Sequence, residues 1–227
     1  MARVLLAEND TAVAEPLARA LTREGYDITV SKVEPEVADM APEFDVVVMG
    51  IALPDATAVE VARDLRAKGH TVPVLVLTAG PDNIEKIVTL GVEADDYVTK
   101  PFRLAELLAR VRALVRAGHG NGKPGKELRA QDVRLSTKSR KAYQGDSELH
   151  LTSKEFDLLQ ALIEQAGTPI KREALTQQVW GGDPQGSAKN LDMHISWLRR
   201  KLGDSVEAPR YIGAPDLASF QFEAAAA

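Results

Sequence analysis

Five positions that could share one chemical site each follow a short apolar segment in the first half of the chain. They are Glu8, Asn9, Gly50, Thr78 and Lys100. If those segments are neighbouring strands of a parallel sheet, their carboxyl ends form the edge at which such sheets bind ligands. A carboxylate at this edge could hold a hard cation, and a lysine could neutralise an anion. Gly50 differs, because a residue without a side chain cannot act as a nucleophile, a metal ligand or an acid.

Residues 1–117 alternate between short strand patterns and helical patterns. The strand patterns cover residues 3–7, 27–30, 45–49, 72–77 and 96–98, and the helical patterns cover residues 13–24, 34–40, 58–68, 83–90 and 104–116. The continuous apolar runs at 45–49 and 72–77 predict central strands that are covered on both faces. We therefore predict an α/β domain with a doubly wound, flavodoxin-like sheet of five parallel strands.

The second half of the chain begins after a glycine-rich boundary and has a different pattern. Residues 118–125 contain four glycines and one proline, which predicts a flexible linker over residues 118–126. Hairpin-like segments over residues 128–151 precede a capping box at Thr152 and Glu155, three helical patterns and an aromatic hairpin over residues 211–222. This order predicts a winged helix-turn-helix domain over residues 127–227.

The composition bounds the class of protein. The chain of 227 residues has no cysteine, which excludes a disulfide framework and thiolate chemistry. No signal-peptide pattern opens it and its apolar runs are too short to span a bilayer, so we expect a cytoplasmic protein with no membrane partner. The net charge is −6 over residues 1–117 (13 basic against 19 acidic residues) and +1 over residues 118–227 (15 against 14). Any nucleic-acid surface in the second half must therefore be local.

Four motifs occur in the order and spacing of a receiver domain. They are Leu5-Leu-Ala-Glu8-Asn9-Asp10, Leu53-Pro54, Leu77-Thr78-Ala79 and Ala94-Asp-Asp-Tyr-Val-Thr-Lys100-Pro-Phe102. With them the chain resembles two-component response regulators of the OmpR/PhoB type over nearly its whole length. The resemblance implies that Gly50 replaces the phosphoryl-accepting aspartate and that Asn9 replaces one of two metal-binding acids. It also implies that Thr78, Lys100 and the switch aromatic Tyr97 are retained.

The loss of two of three carboxylates changes the expected chemistry of this pocket. We expect Mg²⁺ binding to be weak or absent, no other cofactor, no ordinary phosphotransfer and no enzymatic activity. Lys100 loses its usual counter-ion, and Glu8 is the expected substitute. Three interpretations stay open: a degenerate pocket in a receiver that is regulated without phosphate, a vacated pocket that binds a small ligand or a partner protein near Lys100, and phosphorylation at Asp10 or Asp55.

The resemblance further implies a homodimer that forms through the fourth helix, the fifth strand and the fifth helix of the receiver. The candidate interface residues are Lys86, Leu90, Asp95, Asp96, Glu106, Leu107 and Arg110. The alternative is that these charges form an ordinary solvated helix face, where each ion pair contributes about 0–1 kcal/mol.

The last long helical pattern carries the candidate DNA contacts. Leu191, Ile195, Leu198 and Leu202 recur at helical spacing and are predicted to face the core. The other side chains suit phosphates and major-groove base edges, and the candidates are Lys189, Asn190, His194, Ser196, Trp197, Arg199 and Arg200. A merely solvated basic face is the alternative.

The predicted wing departs from the family pattern. Asp216 stands where the family has an arginine, and Leu217 and Ser219 replace two turn glycines. Because a carboxylate is repelled by phosphates, we expect DNA affinity below what is usual for this fold, with dimerisation restoring part of it.

Together these observations predict a DNA-binding transcriptional regulator that acts without aspartyl phosphorylation. Its expected partners are promoter DNA, a second copy of the chain and RNA polymerase. The alternative is a protein-interaction module that sequesters a related regulator and binds DNA weakly because of its altered wing.

Overall fold

The chain folds into two units, Met1–His119 and Gly120–Ala227. Our computed structural model describes residues 1–33, 35–52, 56–80, 82–90, 92–118, 126–181 and 184–224. Most of the predicted linker and the candidate acceptor Asp55 lie outside these ranges. Within the described ranges, none of the helices combines the length and the apolar character that a membrane crossing needs.

The first unit is built on a five-stranded parallel sheet with the order β2-β1-β3-β4-β5. Its strands are β1 (Arg3–Ala7), β2 (Asp27–Ser31), β3 (Val46–Ile51), β4 (Val74–Ala79) and β5 (Asp96–Lys100). Every residue of β3 is buried, as are the first five of β4, as the continuous apolar runs predicted. The predicted α/β fold class is confirmed.

Four helices connect these strands, and a fifth follows β5. They are α1 (Thr11–Arg23), α2 (Glu36–Met40), α3 (Ala56–Ala67), α4 (Asp82–Thr89) and α5 (Leu104–Gly118), with a short 3-10 turn at Ala41–Glu43 after α2. The apolar faces of α1 and α5 pack with the sheet strands in one core. Since every strand pair is parallel, the carboxyl ends of all five strands lie at one edge of the sheet.

The second unit begins with an antiparallel sheet and continues with three helices. The sheet contains β6 (Glu127–Ala130), β7 (Val133–Ser136), β8 (Lys141–Gln144) and β9 (Ser147–Leu149) in sequential order. Helix α6 (Ser153–Glu164) starts at the predicted capping box, in which the Thr152 side chain and the Glu155 side chain each bond the other residue's backbone N–H.

The rest of the second unit completes a winged helix-turn-helix. Its elements are β10 (Ile170–Lys171), α7 (Arg172–Trp180), α8 (Pro184–Leu202), β11 (Ile212–Gly213) and β12 (Ser219–Phe222), and the three strands form a small sheet in the order β10-β12-β11. The predicted apolar stripe of α8 lies in the core of this unit, because its four residues are at most 2% exposed.

Candidate functional site

The predicted pocket positions lie at the carboxyl edge of the parallel sheet. β3 lies between β1 and β4, and β5 pairs with the other side of β4. The register places Gly50 opposite Leu77, one residue before Thr78, and places Lys100 opposite Ala79. The ends of β1, β3, β4 and β5 therefore meet, as the sequence predicted.

An ion pair joins Glu8 and Lys100 across this edge. The Lys100 Nζ atom lies 2.6 Å from the Glu8 Oε2 atom, and Glu8 Oε1 accepts a hydrogen bond of 3.0 Å from the backbone N–H of Asp10. Only 5% of the Glu8 side chain and 26% of the Lys100 side chain are exposed. Glu8 is therefore the counter-ion of Lys100, as expected, and both of its oxygens are in use.

The Glu8 carboxylate fills the space beside Gly50. A Cβ atom built on Gly50 would lie 2.6 Å from Glu8 Cδ, 2.8 Å from Oε1 and closer still to Oε2. All three separations are below normal contact distance, so any side chain at position 50 would displace this carboxylate. The Glu8 carboxylate thus occupies the space that the resemblance assigns to an acceptor aspartate.

The described residues of this edge do not fit the divalent cation that the resemblance implies for this pocket. Asn9 Oδ1 accepts a hydrogen bond of 2.8 Å from the backbone N–H of Val33, so this oxygen is committed to the loop after β2. The Glu8 charge is neutralised by Lys100, and Gly50 offers no ligand atom. Throughout the described part of the chain, no three acidic or histidine side chains are grouped to hold a metal ion.

Asp10 has a structural role at the start of α1. Its Oδ1 atom accepts a hydrogen bond of 2.9 Å from the backbone N–H of Ala12, which is the helix N-cap arrangement. The cap uses one of the two carboxylate oxygens of Asp10, so the interpretation that Asp10 accepts a phosphoryl group stays a prediction.

Among the retained pocket residues, Thr78 is the one whose polar atom has no hydrogen-bond partner within the described part of the chain. The residue is fully buried, and its hydroxyl makes no hydrogen bond with any described residue. A buried hydroxyl without a partner costs about 1–3 kcal/mol of desolvation. The expected hydrogen-bonding role of Thr78 is therefore not realised here.

Replacing Thr78 by valine is expected to leave the free energy of unfolding unchanged or to raise it by about 1 kcal/mol, because no hydrogen bond is lost. The same substitution at Thr152, whose hydroxyl caps α6, is expected to cost about 1 kcal/mol. Urea unfolding of the two variants measures both effects. A clear loss of stability in Thr78→Val would show that the hydroxyl has a partner.

Tyr97, the predicted switch aromatic, is held inside the first unit. It is 4% exposed, and its hydroxyl donates to the carbonyl of Val92 at 3.0 Å and accepts from the backbone N–H of Ala94 at 3.4 Å. Burial raises the pKa of this hydroxyl well above its usual value, so it stays protonated and continues to donate. The ring is thus anchored by backbone groups just before β5.

Asp95 is buried and cannot belong to a dimer surface, so its assignment to the interface is wrong. It is fully buried, and its Oδ2 atom accepts from the Arg66 guanidinium and from the backbone N–H of Val74, each at 2.9 Å. Arg66 was not among the predicted site residues. Its only signal in the sequence was that a basic residue lies near the end of the α3 pattern.

The other interface candidates separate into buried and exposed residues. Leu107 is fully buried in the core under α5, so its predicted contact with a second copy is also wrong. Asp96 is 3% exposed, so the burial that corrects Leu107 applies to it as well. Arg110 pairs within the chain, with both Asp96 oxygens at 2.8 and 3.0 Å and with Glu106 at 3.0 Å. Lys86, Leu90 and Glu106 are exposed and remain interface candidates.

Three of the predicted DNA contacts on α8 are buried, which corrects their assignment. Asn190, His194 and Trp197 are 1%, 0% and 4% exposed. The His194 ring lies edge-on to Trp180 and Trp197, with ring centroids at 5.1 and 4.8 Å, and its Nδ1 atom lies 2.7 Å from the Asn190 carbonyl. The spacing i, i+4, i+7 places the three on one helix face, beside the leucine stripe, so two adjacent faces of α8 are buried.

The remaining candidates on α8 lie at the surface or half-buried. Ser196 and Arg200 are exposed. Arg199 is half-buried and donates from Nη2 and Nε to the carbonyl of Ile212 at 2.8 and 3.2 Å, which fastens β11 to α8. The Lys189 side chain lies outside the described residues. These positions stay predicted DNA contacts.

Comparisons with known proteins agree with both halves of this geometry. The response regulator receiver domain model matches residues 4–112, and the model for the C-terminal domain of transcriptional regulatory proteins matches residues 146–215. The sensory transduction protein RegX3 of Mycolicibacterium smegmatis is 36% identical over 220 residues, which covers 93% of this chain and 95% of RegX3. The transcriptional regulatory protein BasR of Escherichia coli is 37% identical over 204 residues, covering 88% and 90% of the two chains.

Solved structures show the same two-domain order. The response regulator DrrB, an OmpR/PhoB homolog of Thermotoga maritima, is 26% identical and aligns over 98% of this chain and 99% of its own with a TM-score of 0.50. The chain belongs to the OmpR/PhoB family of response regulators. A cysteine-to-serine mutant of RitR is 25% identical and aligns over 99% and 100% of the two chains with a TM-score of 0.76.

The wing of this response regulator is a fixed turn with an acidic residue at its tip. Asp216 Oδ1 accepts from the backbone N–H of Ala218 at 2.7 Å and from the Ser219 hydroxyl at 2.8 Å. The pKa of Asp216 lies below its usual value, mainly because the Ser219 hydroxyl donates to its carboxylate. The hydrogen bond from the Ala218 N–H lowers the pKa further. Beside it, Leu217 is 99% exposed. The tip therefore offers a carboxylate and an apolar side chain where phosphate binding needs a cation.

Proposed function

We propose that this DNA-binding response regulator controls transcription without aspartyl phosphorylation, acting in the cytoplasm on promoter DNA as a dimer. The observation that carries the proposal is the Glu8 carboxylate, which lies beside Gly50 and pairs with Lys100 at 2.6 Å. Position 50 has no acceptor atom, and the described residues at this edge do not supply a ligand set for the cation that phosphotransfer needs. A cytoplasmic location follows from the requirement that the protein reach DNA.

The interpretation that the pocket binds an anion is less well supported than the interpretation that it is degenerate. Lys100 is already neutralised by Glu8, so a bound anion would lie beside a carboxylate and would be repelled by it. We propose that Mg²⁺ binding is weak for the matching reason, since the Glu8 charge is already balanced. A partner protein or intrinsic assembly therefore remains as the source of control.

The affinity of the full chain for a DNA fragment upstream of its own gene tests this proposal. We expect equal dissociation constants with and without an acyl phosphate and Mg²⁺, within experimental error. A related regulator that has aspartate at the acceptor position serves as the positive control and should respond. Tighter binding of this protein with the phosphodonor would overturn the proposal.

Dimerisation through the exposed part of the α4–α5 face is the second element of the proposal. Lys86 on α4 and Glu106 on α5 are exposed and opposite in charge, and in a two-fold dimer each such contact occurs twice. We expect Glu106→Lys to weaken self-association several-fold, because two favourable contacts become repulsive. The double variant Lys86→Glu/Glu106→Lys should restore most of it.

Sedimentation of the full chain measures this association without any phosphodonor. Glu15→Lys is the matched control, because Glu15 is an exposed residue of α1 whose ion pair with Arg19 lies within the same helix. A wild-type protein that stays monomeric at tens of micromolar, and that does not respond to the change at Glu106, would rule out this face.

A second candidate function is favoured by the wing alone. A tip formed by Asp216 and the fully exposed Leu217 suits a protein surface better than a phosphate backbone. In this alternative the chain sequesters a partner regulator and binds DNA too weakly to act on it. A mobility-shift assay with the upstream fragment separates the two, because the alternative predicts no specific complex at physiological salt.

A further inference from the structure

We propose that Glu8, Gly50 and Lys100 act as one unit in which the Glu8 carboxylate permanently takes the place of a phosphoryl group as the acidic partner of Lys100. In this unit Gly50 is a requirement, since it provides the space that Glu8 occupies. The inference rests on the proposed function and adds to it the residue that replaces the phosphate.

The steric part of the inference follows from the space beside Gly50. Its strand neighbours leave no room to move the glycine, because all six residues of β3 are buried in the middle of the sheet. A Cβ atom at position 50 would meet three atoms of the Glu8 carboxylate at distances that real Cβ atoms essentially never show. A larger residue at position 50 therefore requires the Glu8 carboxylate to shift from this position.

The electrostatic part follows from burial. The Glu8 side chain is 5% exposed and the Lys100 side chain 26% exposed, so this pair is screened by water far less than a surface pair. Removing one partner leaves the other charge poorly solvated, which is costly in a buried site. The pair therefore holds the ends of β1 and β5 together as long as the residue at position 50 has no side chain.

The position of Lys100 connects the pair to the rest of β5. Lys100 is the last residue of this strand, whose first residue, Asp96, binds the Arg110 guanidinium of α5. Tyr97, next to Asp96, is anchored by its hydroxyl to the carbonyl of Val92. A constraint on Lys100 thus acts on the strand that positions the exposed Glu106 side of α5.

A double-variant cycle tests the steric part in the full chain. Gly50→Ala is expected to lower the melting temperature by about 3–5 °C, although alanine in a strand normally stabilises relative to glycine. In the Glu8→Ala background, which removes the three clashing atoms, the same change should be neutral or stabilising. An equal loss in both backgrounds would overturn the inference, because Glu8 would then not be what fills the space.

A second experiment tests whether the pair matters for function and not only for stability. Glu8→Gln keeps the shape and removes the charge, and we expect it to weaken binding of the upstream DNA fragment about fivefold, well below the melting temperature. Lys100→Met should have the same effect, whereas Glu15→Gln on the exposed face of α1 should have none. Unchanged DNA affinity in both pair variants would reduce the pair to a structural contact and overturn the proposal.

The variant Gly50→Asp separates this inference from the proposed function. Treated with an acyl phosphate and Mg²⁺, it should gain no phosphate, because the introduced carboxylate and Glu8 would compete for one lysine and Asn9 supplies no charge. Phosphorylation of the variant but not of the wild type would overturn the inference alone. Phosphorylation of the wild type would overturn the proposed function.

Discussion

Replacing Arg66 by alanine is expected to lower the free energy of unfolding of the first unit by about 3–5 kcal/mol, the largest loss that we anticipate for any single substitution. The substitution leaves the fully buried Asp95 carboxylate without the guanidinium that lies 2.9 Å from it. It also removes three hydrogen bonds of 2.9 Å to the carbonyls of Glu93, His70 and Val72. These bonds fix the loops that lead into β4 and β5.

Arg19→Ala is the matched control for this experiment. Arg19 also pairs with an acid, but both side chains are more than half exposed, so we expect a change of at most about 0.5 kcal/mol. Urea unfolding of the full chain, followed by circular dichroism, measures both variants. Comparable small losses in the two would show that the Arg66 pair is solvated and does not order the strand entrances.

Replacing Asp216 by arginine is expected to tighten DNA binding about tenfold and to steepen its salt dependence by about one counter-ion. The change removes a repelling carboxylate from the wing tip and adds a cation that can bind phosphate. It also removes the hydrogen bonds from Ala218 and Ser219 that hold the turn, and the loss of these bonds limits the gain in DNA affinity.

Asp216→Asn separates the two contributions, because asparagine can keep the turn contacts while it removes the charge. We expect an intermediate gain in affinity and a smaller change in the salt dependence. Fluorescence anisotropy with the upstream DNA fragment at several salt concentrations measures both quantities. If neither variant changes the affinity or its salt dependence, the wing does not approach DNA.

The parts of the fold that depend on local pattern could be read from the sequence. The apolar runs at β3 and β4 specify buried central strands, and Thr152 with Glu155 specifies the start of α6. The edge at which the pocket lies follows from the same pattern, since parallel strands bring their carboxyl ends together. Such predictions need only the order of polar and apolar residues along short segments.

The burial of individual polar residues could not be read in this way. Asp95 and Asp96 are adjacent and chemically identical, but each finds its own arginine, Arg66 on α3 and Arg110 on α5. His194 looks like a phosphate contact on a helical wheel, whereas the face it shares with Trp197 packs against Trp180 of α7. In both cases the deciding partner lies on another element of the same unit.

The pocket was predictable in its chemistry but not in its packing. The residue types show that Gly50 cannot accept a phosphoryl group and that Lys100 needs another acid. They do not show that Glu8 lies in the space that a side chain at position 50 would need, because a glycine does not specify what fills the space beside it. Because of this contact, the Glu8–Lys100 ion pair fills the space beside Gly50.

The intact mass of the full chain after incubation with an acyl phosphate and Mg²⁺ tests the central claim most directly. Gly50 carries no acceptor, Asn9 is bonded to Val33 and Glu8 is paired with Lys100, so we predict no increase in mass at any time of incubation. The gain of a single phosphoryl group that is lost under alkaline conditions, as an acyl phosphate would be, would contradict the claim that this response regulator acts without aspartyl phosphorylation.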